Sequence, residues 1–352
     1  MLRSVCKWKY EPMPTAFLLA AGFGTRLRPF TECVPKPLVP VCGVPMLDYV
    51  MSHCSAYGLT DVVVNAHHLP EQIYRWADDR RTSDVRITVS NEQPDILGTG
   101  GGLKNVAAHL SSEIVVLNGD VLTDVDLSQM VNGVPDDGAI MVLRPNEYDA
   151  THRYGIVATD EENCVIDLKK MALAEPVGTT RWDSHFTGIH ALKKSVLGRV
   201  PDGFGCIVRT AYIELVPMRR IAATHHDGIW LDVGDPKAYL ETNLAVLRGD
   251  VRLHLDPSEK AAVFTRTGQS IPDSDVRVIG ALWVGHDVNW GQDIQCRDSV
   301  IGDGAILSDG VDLEECVVWS HATVPKGTWK RCVFYGDEMM SIDESGIQGA
   351  SE

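Results

Sequence analysis

Apolar residues in roughly the first 245 positions come in short runs separated by helix-like stretches. Phe17 to Ala21 is one such run and predicts a buried strand that ends in a glycine loop. Pro45 to Tyr57 predicts a helix, with a proline at its start and Gly58 after its end. Val62 to Asn65 predicts a second strand, Glu71 to Asp79 a helix, Val85 to Val89 a third strand and Ile114 to Leu117 a fourth. Strand and helix in alternation predict an α/β domain, a parallel sheet with helices on both faces. Such sheets bind ligands at the carboxyl ends of their strands. The loops after Ala21, Val89 and Leu117 are therefore where chemistry is expected.

Beyond about residue 250 the texture changes. Apolar-glycine pairs recur at Ile279-Gly280, Val284-Gly285, Trp290-Gly291 and Ile301-Gly302, and apolar positions continue at Leu307, Leu313 and Trp319, six residues apart. This spacing predicts a short parallel β-helix of hexapeptides, imperfect because the repeat slips, with about three or four coils over residues 275–335. The expected organisation is an N-terminal extension (1–14), the α/β domain (15–248), a linker (249–274), the β-helix (275–335) and an acidic tail (336–352).

Composition narrows the function. The chain has 352 residues, with 32 Lys plus Arg against 48 Asp plus Glu, a formal net charge of −16. A surplus of acid argues against general binding to nucleic acid or to an anionic membrane. A local basic pocket for a small anion stays open. No apolar run approaches the length of a spanning helix, and Ala16 to Ala21 is too short, and too near Pro12 and Pro14, for a signal peptide. The nine cysteines are scattered with no Cys-x-x-Cys pair, which predicts reduced thiols and a cytoplasmic setting.

The loop after the first strand reads Gly22-Phe23-Gly24-Thr25-Arg26-Leu27-Arg28-Pro29, followed by Pro35-Lys36-Pro37. Glycines let backbone N–H groups converge on an anion. Leu27 stands where a dinucleotide fingerprint needs a third glycine, which disfavours a dehydrogenase, and the Gly-Lys-Ser/Thr of a Walker loop is absent. Arg26, Arg28 and Lys36 beside a glycine loop suit a polyphosphate; alone, the segment reads equally well as a solvated basic loop. Two further segments end apolar runs in an acid, Asn118-Gly119-Asp120 and Leu231-Asp232-Val233-Gly234. Such aspartates are common turn formers, and they are also suited to Mg²⁺, which takes few protein ligands beside phosphate oxygens. Asp235 reads as a turn residue or a helix cap before Pro236.

Together, Gly22-x-Gly24-Thr25-Arg26-x-Arg28-Pro29 and Pro35-Lys36-Pro37 resemble the signature of the sugar-1-phosphate nucleotidyltransferases. The resemblance implies a Rossmann-like, mostly parallel sheet domain followed by a left-handed parallel β-helix. It implies a nucleoside triphosphate and a sugar 1-phosphate as substrates, Mg²⁺ as cofactor, and NDP-sugar and pyrophosphate as products. Arg26 and Lys36 would be catalytic. Leu19, Ala20, Ala21, Gly22, Gly24, Thr25, Gln93, Gly98 and Thr99 would bind nucleotide, and Asp120 and Asp232 the metal. The glycines at 98–102 are expected to open a helix at Leu103 and expose backbone N–H groups. Gly155, Thr187 and Gly188 fall on the sugar-binding segments. The Glu-Lys-Pro of the family is missing here, and Lys169 or Lys170 takes the place of its lysine. The Leu-Gly-Thr-Gly-Gly loop and the segments at 186–190 and 230–234 look most like mannose- or heptose-1-phosphate guanylyltransferases; uridylyl- and thymidylyltransferases share most of these motifs. A non-catalytic sensor on this scaffold tends to lose its charged positions, and all four are present here. His286 and His321 would be candidate bases for acyl transfer on the β-helix, but the repeat is short for that role; contact between copies of the chain through it, or regulation, is expected instead.

Overall fold

Burial on both faces explains the apolar runs of the amino-terminal half. In a computed structural model of the chain, which describes residues 13–82, 84–146, 154–265 and 276–342, Ala16, Phe17 and Leu18 have no exposed surface. They centre the strand Thr15–Leu19, which pairs in parallel with Asp61–Ala66 on one side and Glu113–Asn118 on the other. Arg86–Asn91 extends the parallel set beyond Asp61–Ala66. The register sets Leu19 beside Asn118 and Ala66 beside Asn91, so these strands end at one edge. The expected helices are present as Met46–Ala56 and Pro70–Arg80. Most of the expected extension, the end of the expected linker and the last ten residues of the expected tail lie outside the described residues.

By internal packing the chain forms two units, residues 1–23 with 50–230, and residues 24–49 with 231–352. The first contains a nine-stranded sheet. Beyond Glu113–Asn118 it turns antiparallel through the long strand Arg181–Lys193, which also pairs with Ala139–Pro145 and Val157–Thr159. Ile221–His225 adds a parallel strand on Ala139–Pro145. Phe17, Val63, Val116, Met141, Leu192 and Tyr212 are among the buried side chains of its core. The register of the long strand breaks between Phe186 and His190, where Gly188 adopts φ 87, a left-handed conformation that favours glycine. Such a bulge re-aims the chain locally, and it falls on the predicted sugar-binding segment.

The second unit contains the β-helix. Val276–Val284, Ile294–Ile301, Val311–Glu314 with Val317–Val318, and Gly327–Lys330 with Cys332–Tyr335 stack as parallel rungs. A further wall is built from Asn289–Trp290, Ile306–Leu307 and Thr323–Val324. The stacking repeat is 18 residues from Val276 to Ile294 and 16 from Val317 to Val333. Between them it is 17, as in Ala281 to Asp298, His286 to Asp303 and Gln292 to Asp309, where each carboxylate accepts the earlier residue's backbone N–H at 2.8 Å. A coil of 17 is one residue short of three hexads, and this blurs the six-residue pattern. Helix Pro236–Arg248 belongs to the same unit, and Asp235 caps it by accepting the Ala238 N–H at 2.9 Å, as the sequence predicted. Residues 24–45 add three short 3₁₀ turns and a small hairpin, Pro40–Val41 with Val44–Pro45.

Candidate active site

The converging strand ends of the first unit shape a cleft of about 250 Å³. Leu19, Ala21, Gly22, Asn65, Glu92, Ile96, Gly98, Thr99, Asn118 and Asp120 line it. Six of these are predicted site residues, from loops far apart in sequence. Ala20 is placed differently: it is buried, and its N–H donates to Asn65 Oδ1 at 2.6 Å. Gln93 is exposed and its amide donates to the His67 carbonyl at 3.0 Å. Two larger clefts lie elsewhere: one of about 710 Å³, net acidic with Asp160, Glu161 and Asp183 against Arg181, and one of about 480 Å³ at residues 246–257, which holds none of the predicted site residues.

Four residues of the cleft, Asn65, Glu92, Ile96 and Asn118, escaped the sequence reading, and two of them hold it together. Glu92 is 1% exposed, and its two carboxylate oxygens accept from Asn65 Nδ2 and from the Leu97 N–H, both at 2.8 Å. A buried carboxylate is stable only when hydrogen-bonded in this way. Asn65 in turn holds the Ala20 N–H, so one amide ties the first strand's end to the loop after the third. The placement of Asn65 at the end of an apolar strand was the available signal.

The glycine segment differs from expectation. The helix begins at Gly98 and runs to Asn105, so the glycines lie within it. The N–H groups of Gly100 and Gly101 are not presented to a ligand; both donate to the Gly205 carbonyl, at 2.7 and 3.0 Å. Gly205 returns its N–H to Leu97, and Ile207 donates to the Thr99 hydroxyl at 3.0 Å. A side chain at Gly101 would place its Cβ 2.1 Å from the Gly203 carbonyl oxygen. The glycines here allow close backbone approach, and the wall of the cleft is what that approach builds.

The segments predicted to bind the sugar are also resolved by residue. Asn118 packs against Gly188, where an added Cβ would meet its amide at 2.5 Å. Thr187 is buried, and its hydroxyl donates to the Val142 carbonyl at 2.8 Å, so its side chain holds the bulged strand. Lys169 and Lys170 are consecutive left-handed residues, at φ 55 and 59. Lys169 runs along Gly155, whose added Cβ would lie 3.1 Å from its Cδ. Desolvation, with the neighbouring Arg209 acting in the same direction and Cys206 against it, pushes the Lys169 ammonium below the usual lysine value. Arg209 sits on the π-helical turn Val208–Tyr212, near enough to act on Lys169, and no sequence motif marked it. The Lys170 backbone N–H donates to Asp167 at 2.7 Å.

The remaining predicted residues belong to the second unit. Gly24, at φ 63, precedes the turn Thr25–Leu27, and its carbonyl accepts the Thr31 hydroxyl at 2.9 Å. Thr25 and Arg26 are exposed, while Lys36 is 8% exposed, in the turn Lys36–Leu38. An added Cβ at Gly24 would lie 3.0 Å from the Lys36 Cβ, so the glycine turn and the lysine are neighbours. Asp232 ends the strand Trp230–Asp232. Asp120 on the cleft lining and Asp232 are hard oxygen donors, and the described residues hold no group of three or more His, Cys, Asp or Glu able to bind a metal. Each of these carboxylates is the kind of donor that Mg²⁺ takes, an ion that draws most of its coordination from water and substrate phosphates. No helix among the described residues is long and apolar enough to cross a membrane.

Residues 15–249 match the family model described as nucleotidyl transferase. The mannose-1-phosphate guanylyltransferase of Mycobacterium tuberculosis is 30% identical over 309 residues, 86% of this chain and 82% of that protein. Mannose-1-phosphate guanylyltransferase 1 of Arabidopsis thaliana is 27% identical over 320 residues, 88% and 82% of the two chains. The UTP–glucose-1-phosphate uridylyltransferase of Synechocystis is 24% identical over 333 residues, 89% and 84%. Among solved structures, HddC of Yersinia pseudotuberculosis shares the fold, with a TM-score of 0.53 at 21% identity over 66% of this chain and 98% of that one.

Proposed function

The chain belongs to the nucleotidyl transferase family, and from that premise we propose that it forms GDP-mannose and pyrophosphate from GTP and mannose 1-phosphate. It is a sugar-1-phosphate nucleotidyltransferase. The observation that carries the reading of its site is the cleft, where the glycine loop at Gly22, the wall at Gly98–Thr99 and the carboxylate of Asp120 face one space. The choice of guanine and mannose is supported by the guanylyltransferase relatives.

In the proposed reaction a phosphate oxygen of the sugar 1-phosphate attacks the α-phosphorus of GTP. The bond to the β-phosphate oxygen breaks and pyrophosphate leaves. The nucleophile is already an anion, so no general base is needed. The barrier lies in repulsion between anions and in charge growth on the leaving group, and positioning and electrostatic stabilisation lower it. Arg26 and the backbone of Gly22 to Gly24 bind the triphosphate, and Lys36 neutralises the α-phosphate region. Gly98 and Thr99 flank the base. Lys169, with Arg209 beside it, holds the sugar phosphate; its place along Gly155 favours it over Lys170. Asp120 and Asp232 would hold Mg²⁺, which when bound spreads the negative charge of the phosphate oxygens.

Pyrophosphate release, measured for each nucleoside triphosphate against several sugar 1-phosphates with and without Mg²⁺, tests this. The expected result is Mg²⁺-dependent turnover highest for GTP with mannose 1-phosphate. Preference for UTP or dTTP with glucose 1-phosphate would reassign the substrates, and no release with any pair would leave a nucleotide-sugar sensor as the reading.

A further inference from the structure

The loop carrying Arg26 and Lys36 packs within the second unit against residues remote in sequence. Phe30 lies between those two cations in sequence and is 1% exposed. Its ring meets three others: Tyr239 of the helix Pro236–Arg248 at 5.6 Å, and Trp319 and Tyr335 of the β-helix at 5.3 and 5.1 Å. The Tyr335 contact is edge-to-face, a favoured aromatic geometry. Polar bonds run through the cluster in series. Trp319 Nε1 donates to the Tyr239 hydroxyl at 2.8 Å, and that hydroxyl donates to the Pro40 carbonyl at 2.7 Å. One turn further along the helix, Asn243 Oδ1 accepts the Cys42 N–H at 2.8 Å. Trp283 of the β-helix covers Gly43 so closely that an added Cβ would lie 2.0 Å from its ring. The helix is itself bound to the β-helix by ion pairs of Arg248 with Asp298 and Glu315, and of Glu241 with Arg331.

The loop is thus gripped at Phe30, Pro40, Cys42 and Gly43. Resting on the reading that this loop binds the triphosphate, we propose that Trp319, with Tyr335, is a positioning residue for nucleotidyl transfer. It acts through Phe30 and Tyr239 to hold the Arg26 and Lys36 segment in register. The β-helix then serves the reaction as well as stability, since displacing a phosphate-binding cation by about an ångström costs up to about a hundredfold in rate.

Steady-state kinetics of the full-length chain with GTP and mannose 1-phosphate test this. Trp319→Ala is expected to raise the KM for GTP and lower kcat, together by about tenfold or more, with the KM for mannose 1-phosphate within about twofold of the parent. Trp319→Phe, which keeps a ring against Phe30, is expected to recover most of the loss. Should Trp319→Ala fail to fold, Tyr239→Phe decides the matter, because it removes a single oxygen from the chain of bonds to Pro40. An intact Trp319→Ala or Tyr239→Phe protein with parental kinetics, or one in which both KM values change alike, overturns the proposal. Lys36→Ala separates the two ideas. Inactive Lys36→Ala beside parental Trp319→Ala sinks the positioning role alone; parental activity in Lys36→Ala sinks the reading of the loop.

Discussion

The wall at 98–102 and the loop at 24–45 are both marked by glycines, yet they are fixed by opposite means. The wall is held mostly by main chain on main chain: Gly100 and Gly101 donate to Gly205, and Gly205 donates to Leu97, with the Thr99 hydroxyl accepting one further N–H. The loop is held by side chains, with Thr31 on the Gly24 carbonyl, Tyr239 on Pro40, Asn243 on Cys42 and three rings around Phe30. Backbone contact leaves no room for a side chain at Gly101, so substitution there must displace main chain. A side-chain grip can be loosened one contact at a time. Arg26 and Lys36, the cations proposed to bind phosphate, sit on the second kind of support, where position can be adjusted without rebuilding the sheet.

The largest effect should come from the loop's own cation. Lys36→Ala, measured as steady-state turnover, is expected to lose about 10²- to 10³-fold, the scale seen when one preorganised charge stabiliser is removed. Activity within about threefold of the parent would show that the loop's grip serves stability alone.

Next is a paired test of the glycines. Gly101→Ala drives a methyl into the Gly203 carbonyl and should cost about 1–3 kcal/mol in denaturant unfolding, the range for overpacking. Gly22→Ala meets nothing within 4 Å, so its stability should match the parent. Its methyl instead enters the cleft that Gly22 lines, and the KM for GTP should rise. Equal destabilisation by both would erase the distinction between a packed glycine and one that admits ligand.

Lys169 gives a pH test. Only its protonated form attracts a phosphate, and desolvation, with Arg209, sets its pKa below that of an ordinary lysine. The charge is therefore complete at low pH and is lost as pH rises through that depressed value. The kcat/KM for mannose 1-phosphate, which reports the free enzyme, should fall on the alkaline side earlier than an unperturbed lysine would allow. Lys169→Arg should move that limb upward, while Lys170→Arg should leave it in place; the reverse would hand the sugar phosphate to Lys170.

The parallel core was legible because burial on both faces writes an unbroken apolar run, as at Phe17 and Val116. The loop's cations stand out in the sequence by motif, and the structure sets Lys36 beside Gly24. Glu92 was not, because a charge after a strand reads as solvated until Asn65 and the Leu97 N–H are known to meet it. The antiparallel half of the sheet depends on pairings such as His190 with Val116, which no local pattern encodes. The 17-residue coil was blurred for a related reason: its corners are set by aspartates such as Asp303 reaching one coil back, and an aspartate in a loop reads as an ordinary turn.

The smallest effect is the sharpest test of the wall. Thr99 lines the cleft, yet its hydroxyl already accepts the Ile207 N–H. Thr99→Val keeps the shape and removes the acceptor, which should cost about 1 kcal/mol of stability, the net value of one such bond. The bonds of Gly100 and Gly101 to Gly205 remain, so the wall should stand and the KM for GTP should change by less than about threefold. A rise beyond about tenfold corresponds to more than about 1.4 kcal/mol of binding. That exceeds what a wall still pinned on two carbonyl bonds would lose by relaxing. It would mean that the Thr99 hydroxyl bonds the nucleotide itself, and that the wall, as proposed for the loop, recognises through a side chain.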